Sequence, residues 1–168
     1  CMAEDTTFLP KADLLTLARL EGAARPPTDT WVDIGDLLDR AAGEARGLSN
    51  GRHSINVEST VGIQLAGVES ELHSAIANLL TNAVRYTPVG GQIEVVWSGG
   101  GTGQPGVLTV RDNGIGIPRE HLARLTERFY RIDGGRSRES GGTGLGLAIV
   151  KHVMQRHDGT LEVLSVPG

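Results

Sequence analysis

The chain has 168 residues, of which 39% are hydrophobic and only 4% aromatic, and it carries a formal net charge of −4. This composition is typical of one globular core packed mainly from aliphatic side chains. The acidic balance supplies no basic field, so we expect no nucleic-acid partner. No apolar run approaches the roughly 20 residues that span a bilayer. The single cysteine, Cys1, excludes an internal disulfide and a cysteine metal cluster, and it fits a reducing compartment.

The residue pattern divides the chain into three segments. Residues 1–12 have no periodicity and are predicted to be an irregular lead or a cloning remnant. Residues 13–30 begin with the end of a helix, over 13–21, and continue as a linker with two consecutive prolines. Residues 31–168 are predicted to form the main domain.

Two amphipathic helices and two strands are predicted in the first half of this domain. The first helix follows the N-cap residue Asp33 and ends at Asn50, and the second spans residues 69–86. Residues 54–58 and 63–66 are predicted strands between them. The apolar stripe of the first helix is formed by Ile34, Leu37, Leu38, Ala41, Ala45 and Leu48, and that of the second by Leu72, Ile76, Leu79 and Ala83.

The second half alternates strands with glycine-rich segments. Residues 92–97 and 107–112 are predicted strands joined by a glycine-rich hairpin. A short helix over 119–126 is followed by a loop over 131–142, which carries glycines and charges without an apolar period. The last predicted elements are a helix over 143–157 and a strand over 161–166.

Three polar motifs carry the chemistry. In the first, Asn78 and Asn82 are four residues apart on a helix, so their amide oxygens lie on one face with Arg85, and Tyr86 lies at its edge. Amide oxygens suit Mg²⁺, and an arginine neutralises phosphate. A single asparagine here is more typical of a solvated helix face, whereas the set in phase favours a functional site.

The other two motifs are glycine-rich turns. Asp112 ends a strand, where its carboxylate can accept a hydrogen bond from an exocyclic amine, and Gly114 and Gly116 allow a flat base to approach the backbone. Residues 142–146, GTGLG, precede a helix whose N–H groups favour phosphate. The alternatives are an ordinary Asp-Gly turn and a flexible hinge. His157 beside Asp158 is more typical of a helix-end histidine near carbonyl groups than of an acid-base pair.

Four motifs in this order resemble the conserved boxes of bacterial sensor histidine kinases. They are NLLTNAVRYTP at 78–88 (the N box), DNGIGIP at 112–118 (the G1 box), ERFYR at 127–131 (the F box) and GTGLGLAIVK at 142–151 (the G2 box). The resemblance covers roughly residues 31–168. Residues 119–138 further resemble the phosphate-regulon sensor subgroup.

The resemblance implies the GHKL, or Bergerat, fold. This is an α/β two-layer sandwich in which three helices cover one face of a mixed, mostly antiparallel sheet. It also implies ATP and Mg²⁺ as cofactors. The implied reaction is transfer of the γ-phosphoryl group of ATP to a histidine on a separate dimerisation domain, with a response regulator as an indirect partner.

The resemblance also implies roles for individual residues. Asn82 would be the main Mg²⁺ ligand with Asn78 assisting, and Asp112 would take the adenine amine. Arg131 would meet the γ-phosphate in the transfer state. The implied catalytic residues are Asn82, Arg85, Arg131 and Thr143, and the wider nucleotide set adds Asn78, Tyr86, Asp112, Gly114, Gly116, Ile117, Tyr130, Gly142, Gly144, Leu145 and Gly146. Residues 131–142 would form the ATP lid.

Two features of the family are not found in the sequence. None of the five histidines lies in the phosphoacceptor motif H-E-x-R-T-P-L, and the closing motif G-x-G-S-x-F is also missing. We therefore expect the acceptor histidine on another domain and a sheet that has lost a strand. This fragment is expected to be monomeric and to be the cytoplasmic part of an inner-membrane sensor protein. The full-length protein is expected to be a homodimer.

Two other functions remain open from the sequence. One is a nucleotide-binding or partner-recognition module without transferase activity, against which the intact Asn82, Asp112 and Gly144 argue. The other is a hydrolytic GHKL ATPase with a helix carboxylate as its base. Glu71 lies near Asn78 on the same helix, although an acidic residue there more often serves the helix N-terminus.

Overall fold

The computed structural model describes residues 11–27, 29–59, 61–100, 104–131 and 144–165. The helices within these ranges are α1 (Lys11–Gly22), α2 (Ile34–Ser49), α3 (Glu69–Tyr86), α4 (Arg119–Leu122) and α5 (Gly146–Arg156). The strands are β1 (Trp31–Asp33), β2 (Ser54–Glu58), β3 (Gln64–Ala66), β4 (Gln92–Gly99) and β5 (Gly106–Asp112).

The described strands form two sheets. The larger has the order β2-β4-β5, in which β2 is parallel and β5 antiparallel to the central β4. The smaller pairs β1 with β3 in antiparallel register. Two of the three pairings are therefore antiparallel, as predicted, although the strands are divided between two sheets.

The core lies between β4 and a layer of helices. Ile93, Val95 and Trp97 alternate along β4 with more exposed residues and are buried. Helix α3 contacts both α2 and α5, and all three helices contribute to the same cluster. Burial of each large aliphatic side chain contributes about 1.5–3 kcal/mol. The predicted two-layer sandwich with three helices on one face is confirmed.

Local sequence signals set the bounds of α2 and α3 correctly. Asp33 accepts a hydrogen bond from the backbone N of Asp36 at 3.0 Å, and Asn50 adopts a left-handed conformation with φ of 51°. Helix α3 has the predicted bounds. Two stripe residues differ from the prediction, because Leu48 is exposed and Leu79 is only partly buried.

Two predicted helix bounds and one predicted strand in the second half are wrong. Helix α4 is one turn long, α5 begins at Gly146, and residues 161–165 form no strand. The last error has a physical cause, since an extended segment becomes a strand only when a neighbour pairs with its backbone. No described residue pairs with 161–165 in a ladder, and Leu164 stays exposed.

Helix α1 packs against the C-terminal half of α5. Leu17 and Leu20 of α1 are buried in the common core. The guanidinium of Arg156, at the end of α5, donates to the backbone oxygens of Leu20, Ala23 and Ala24. The carbonyl groups at the end of α1 are thereby satisfied by another helix.

Among the described helices, none combines the length and the apolar character that a bilayer crossing requires.

Candidate nucleotide site

Helices α3 and α5 run antiparallel, so the start of α5 lies against the middle of α3. The Asn78 side chain donates from Nδ2 to the backbone oxygen of Ser74 at 2.7 Å. Its Oδ1 faces Gly146, where an added Cβ would stand 3.0 Å from that oxygen. The first and last of the three predicted motifs therefore meet in space.

Asn82 lies one turn after Asn78 on the same helix and is half-buried. Within the part of the chain that the structure describes, its side chain forms no hydrogen bond, which leaves the amide oxygen able to bind a ligand. Arg85 and Tyr86, at the end of the helix, are exposed, and 45% of Tyr86 is accessible. This polar face of α3 thus runs from half-buried amides to an exposed arginine.

The turn after β5 is tied to the end of α3. The backbone N of Ile115 donates to the backbone oxygen of Tyr86 at 3.4 Å, and a Cβ at Gly114 would stand 2.5 Å from that oxygen. Only glycine fits at this close approach. The Gly114 N–H donates to Oδ1 of Asp112 at 2.9 Å, which fixes the orientation of an exposed carboxylate. Gly116 has a φ of 74°, which favours glycine.

One contact in this turn could not be predicted from the residue pattern. The backbone N of Ile117 donates to Oγ of Ser165 at 2.7 Å, so the segment that follows α5 reaches the turn. Ser165 lay in a predicted strand, and a serine in a strand pattern carries no signal for a partner 48 residues away.

The start of α5 is tied to the F box. Gly144 has a φ of 74°, and its carbonyl accepts from the backbone N of Phe129 at 3.0 Å. A Cβ at Gly144 would stand 2.8 Å from both Cα and C of Phe129. Leu145, the N-cap residue of α5, is fully buried. The N-terminal turn of a helix has a positive end that suits an anion.

The F box itself is anchored to α4. Tyr130 hydrogen-bonds through its hydroxyl to Nδ1 of His121, and the guanidinium carbon of Arg124 lies 4.4 Å from the centre of its ring. Arg131 is half-buried directly after it. The roles of Gly142 and Thr143 cannot be placed in this geometry, because both residues and the loop 132–141 lie outside the described residues.

Comparison with known proteins agrees with this arrangement. Residues 67–168 match the family model of histidine kinase-, DNA gyrase B- and HSP90-like ATPases. The chain belongs to this family. Membership confirms the predicted GHKL fold and the implied ATP binding.

Relatives within the family include sensor kinases. The chain is 49% identical, over 93% of its length, to the phosphate regulon sensor protein PhoR of Pseudomonas aeruginosa, and it covers 35% of that protein. A solved mycobacterial sensor histidine kinase, MprB, has a TM-score of 0.63 at 31% identity, over 77% of this chain and 80% of that one. Full-length ShkA, solved with AMPPNP, has a TM-score of 0.68 at 28% identity, over 86% of this chain and 29% of that one. The chain thus spans about a third of the PhoR relative.

Glu71 is the candidate base for the alternative function, a hydrolytic ATPase. In the structure its carboxylate forms an ion pair with Arg156. Oε1 of Glu71 lies 2.8 Å from both Nε and Nη2 of Arg156, and the two side chains are only 11% and 12% exposed. A carboxylate held by a buried guanidinium is not placed to take a proton from water. The hydrolytic alternative therefore loses its candidate base.

His157 has the structural role that its position predicted. Its Nδ1 donates to the backbone oxygen of Val153 at 2.8 Å, and its Nε2 accepts from the backbone N of Val68 at 3.2 Å. One donating and one accepting nitrogen describe a neutral imidazole with both positions occupied. His157 therefore fastens the end of α5 to the start of α3.

The chemistry of any metal at this site follows from the side chains that are near it. Within the described ranges, no group of three or more His, Cys, Asp or Glu side chains comes together. A cation here would depend on amide oxygens of α3, phosphate oxygens and water, which is the ligand set that Mg²⁺ accepts with nucleotides. The half-buried Asn82 and the oriented Asn78 fit such an ion.

Proposed function

We propose that this chain is the ATP-binding catalytic domain of a sensor histidine kinase. It transfers the γ-phosphoryl group of ATP to a histidine nitrogen on a separate dimerisation domain, so that a P–N bond forms and the bond to ADP breaks. One observation carries the proposal: Asn78 meets Gly146, Tyr86 meets Ile115, and the F box meets Gly144. The start of α5 and the G1 turn thereby meet α3 beside its polar face, and the F box is joined to them through Gly144.

The proposed roles divide between the two ends of the nucleotide. Asp112 accepts from the adenine amine, with the glycine turn and Ile117 beside the base. Asn82 holds Mg²⁺ with Asn78 assisting, and Arg85 neutralises phosphate charge. When bound, Mg²⁺ would supply charge neutralisation on the phosphates. Tyr86, Tyr130, Gly142, Gly144, Leu145 and Gly146 complete the proposed nucleotide contacts.

Arg131 and Thr143 complete the proposed catalytic set. Phosphoryl transfer depends mainly on positioning and on stabilisation of charge, so an arginine at the γ-phosphate would act as the group leaves ADP. Arg131 is contiguous with the anchored Tyr130. The chain would therefore supply orientation and charge, while the nucleophile comes from another domain.

The proposed context of the domain follows from its relatives. Residues 13–30 are the end of a dimerisation-domain helix and its linker, and residues 31–168 are the catalytic domain. The partners are the histidine-bearing dimerisation domain and, indirectly, a response regulator. We place the domain on the cytoplasmic side of an inner-membrane sensor that is homodimeric at full length, although this fragment is monomeric.

Phosphoryl transfer gives the direct test of this function. Incubated with γ-labelled ATP, the chain is expected to remain unlabelled, while an added dimerisation domain with the H-E-x-R-T-P-L motif becomes labelled. The measurement is autoradiography of the two bands after separation. Strong labelling of this chain itself would contradict the proposal. If the chain binds nucleotide tightly but labels neither its own dimerisation domain nor those of its relatives, the alternative of a nucleotide-binding module without transferase activity is favoured.

Binding calorimetry tests the metal role separately. Asn82→Ala is expected to weaken binding of Mg²⁺-AMPPNP about tenfold or more, because a charge-assisted contact contributes about 1.5–3 kcal/mol. Without Mg²⁺, in the presence of a chelator, wild type and Asn82→Ala should bind AMPPNP with equal affinity. Asn56→Ala, on the exposed face of β2, is the matched control. An equal loss with and without Mg²⁺ would assign Asn82 to another role.

A further inference from the structure

Four side chains at a spacing of three residues share one side of the segment between the G1 turn and the F box. They are His121, Arg124, Glu127 and Tyr130. Each of the last three donates its backbone N–H to the carbonyl of the one before, at 3.0, 3.0 and 3.3 Å. Turns of this i→i+3 type have three residues per turn, so neighbouring side chains at that spacing lie on one side. Tyr130 contacts both His121 and Arg124, and Arg124 contacts Glu127. A regular run of such turns would separate His121 from Tyr130 by about 18 Å, so the chain bends back between them. We call these four side chains the column.

Tyr130 is held by this column at two points. Its hydroxyl hydrogen-bonds with Nδ1 of His121, and the guanidinium carbon of Arg124 stands 4.4 Å from the centre of its ring. Arg124 is itself fixed, because its Nε donates to Oε2 of Glu127 at 3.2 Å. If the hydroxyl donates to Nδ1, the remaining imidazole proton is on Nε2, which lies 3.8 Å from Oε1 of Glu120. Tyr130 is half-buried, its hydroxyl is bonded to His121, and Arg124 covers one face of its ring, so the side chain has little freedom to change its rotamer.

The residues on either side of Tyr130 are the ones that need a fixed backbone. Phe129 has a φ of 63°, a left-handed conformation that non-glycine residues adopt only when their surroundings impose it. Its N–H reaches the carbonyl of Gly144, which joins the F box to the start of α5. Arg131 follows Tyr130 directly. The anchored tyrosine therefore sets the direction in which the chain continues from the Phe129–Gly144 contact to Arg131.

We infer that His121 and Tyr130 are positioning residues that hold Arg131 in the place where it meets the γ-phosphate. The inference rests on the proposed function, since it takes the role of Arg131 from it. In this role the hydroxyl of Tyr130 acts through its bond to His121 and through Arg131, while the rest of the residue keeps its proposed contact with the nucleotide. His121 belongs to α4, which follows the G1 turn, so the column also joins the adenine side of the site to the γ-phosphate side.

The test compares two nucleotides that differ in the γ-phosphate. Calorimetry on the whole chain gives the dissociation constants of Mg²⁺-ADP and Mg²⁺-AMPPNP, and their ratio reports the γ-phosphate contact alone. Arg131→Ala is expected to lower the wild-type preference for AMPPNP about tenfold or more. Tyr130→Phe, which removes only the hydroxyl, and His121→Leu are expected to lower it about threefold to tenfold, with ADP affinity within about twofold of wild type.

The conservative variant and a matched histidine provide the controls. His121→Asn keeps an acceptor for the tyrosine hydroxyl and should retain more of the preference than His121→Leu. His73→Leu should leave both constants unchanged, because His73 has a similar exposure (27% against 24%) but pairs with Glu44 on another surface.

Each other outcome is decisive. An unchanged ratio in Tyr130→Phe overturns the inference, and so does an equal loss of ADP affinity, which is what general loosening of the fold would produce. A wild-type chain that binds both nucleotides without preference also overturns it, because Arg131 then makes no γ-phosphate contact to position. A folded wild-type chain that binds neither nucleotide contradicts the proposed function instead.

Discussion

Replacing Gly144 with alanine is expected to lower the free energy of unfolding by about 2–5 kcal/mol. Two costs add at this position. A left-handed conformation costs an L-residue about 1–2 kcal/mol, and forcing a methyl group into packed backbone costs about 1–3 kcal/mol. The φ of 74° imposes the first cost, and the approach of Cβ to within 2.8 Å of two backbone atoms of Phe129 imposes the second.

The same substitution should weaken nucleotide binding. Relief of the clash requires Phe129 to move away from Gly144, and that contact joins the F box to the start of α5. We expect affinity for Mg²⁺-AMPPNP to fall at least about tenfold under conditions where the variant is folded, a change worth about 1.4 kcal/mol. Denaturant unfolding and calorimetry on one preparation give both quantities.

Gly43→Ala is the matched control for this change. Gly43 lies in the middle of α2, and nothing stands within 4 Å of the Cβ that alanine would add. Glycine in a helix interior costs about 0.5–1 kcal/mol relative to alanine, so this variant should be slightly more stable than wild type. If Gly144→Ala and Gly43→Ala had the same free energy of unfolding and the same affinity for Mg²⁺-AMPPNP, the close approach at Gly144 would be absent in solution.

Sequence reasoning succeeded where the signal is local. Asp33 and Asn50 have residue types and spacings that fix a helix end by themselves, and the bounds of α2 and α3 agree with the structure. The motif residues Asn78, Asp112 and Gly144 also came from local patterns, and the fold brings their segments to one face. The roles assigned to them stay predictions.

The contacts that sequence reasoning missed depend on how the chain folds back on itself. His121 and Tyr130 are nine residues apart, and their contact needs a bend between them that a segment of mixed polar residues, without a hydrophobic period, does not reveal. Ser165 lay in a pattern typical of a strand, yet strand formation depends on a neighbour that the pattern does not describe. Arg156 looked like an ordinary basic residue in the last turn of a helix.

Arg156 instead joins three helices at the end of the domain opposite the nucleotide site. Its guanidinium binds Glu71 in the first turn of α3 and the carbonyls that end α1. Because α3 and α5 are antiparallel, the helix pair has the polar motif residues at one end and this cluster at the other. The cluster therefore fixes the register of the two helices whose side chains build the site.

Arg156→Ala is expected to lower the free energy of unfolding by about 3–5 kcal/mol. Removing one partner of a buried ion pair leaves the other charge without compensation, and here the remaining charge is the Glu71 carboxylate, only 11% exposed. Glu71→Gln removes that charge while it keeps an acceptor for the guanidinium, so its cost should be smaller, about 1–2 kcal/mol. Denaturant unfolding of the two variants measures this asymmetry.

Arg40→Ala tests whether the stability lost in Arg156→Ala comes from the burial of the ion pair or only from the loss of a positive charge. Arg40 pairs with Glu69 at the surface, where the side chains are 55% and 59% exposed, and such pairs contribute about 0–1 kcal/mol. Hydrogen exchange adds a local measurement, because Arg156→Ala should increase the exchange of residues 14–24 relative to the rest of the chain, whereas Arg40→Ala should not. Equal stability losses in the two alanine variants would show that the Arg156 cluster is solvated and that the docking of α1 depends on Leu17 and Leu20 alone.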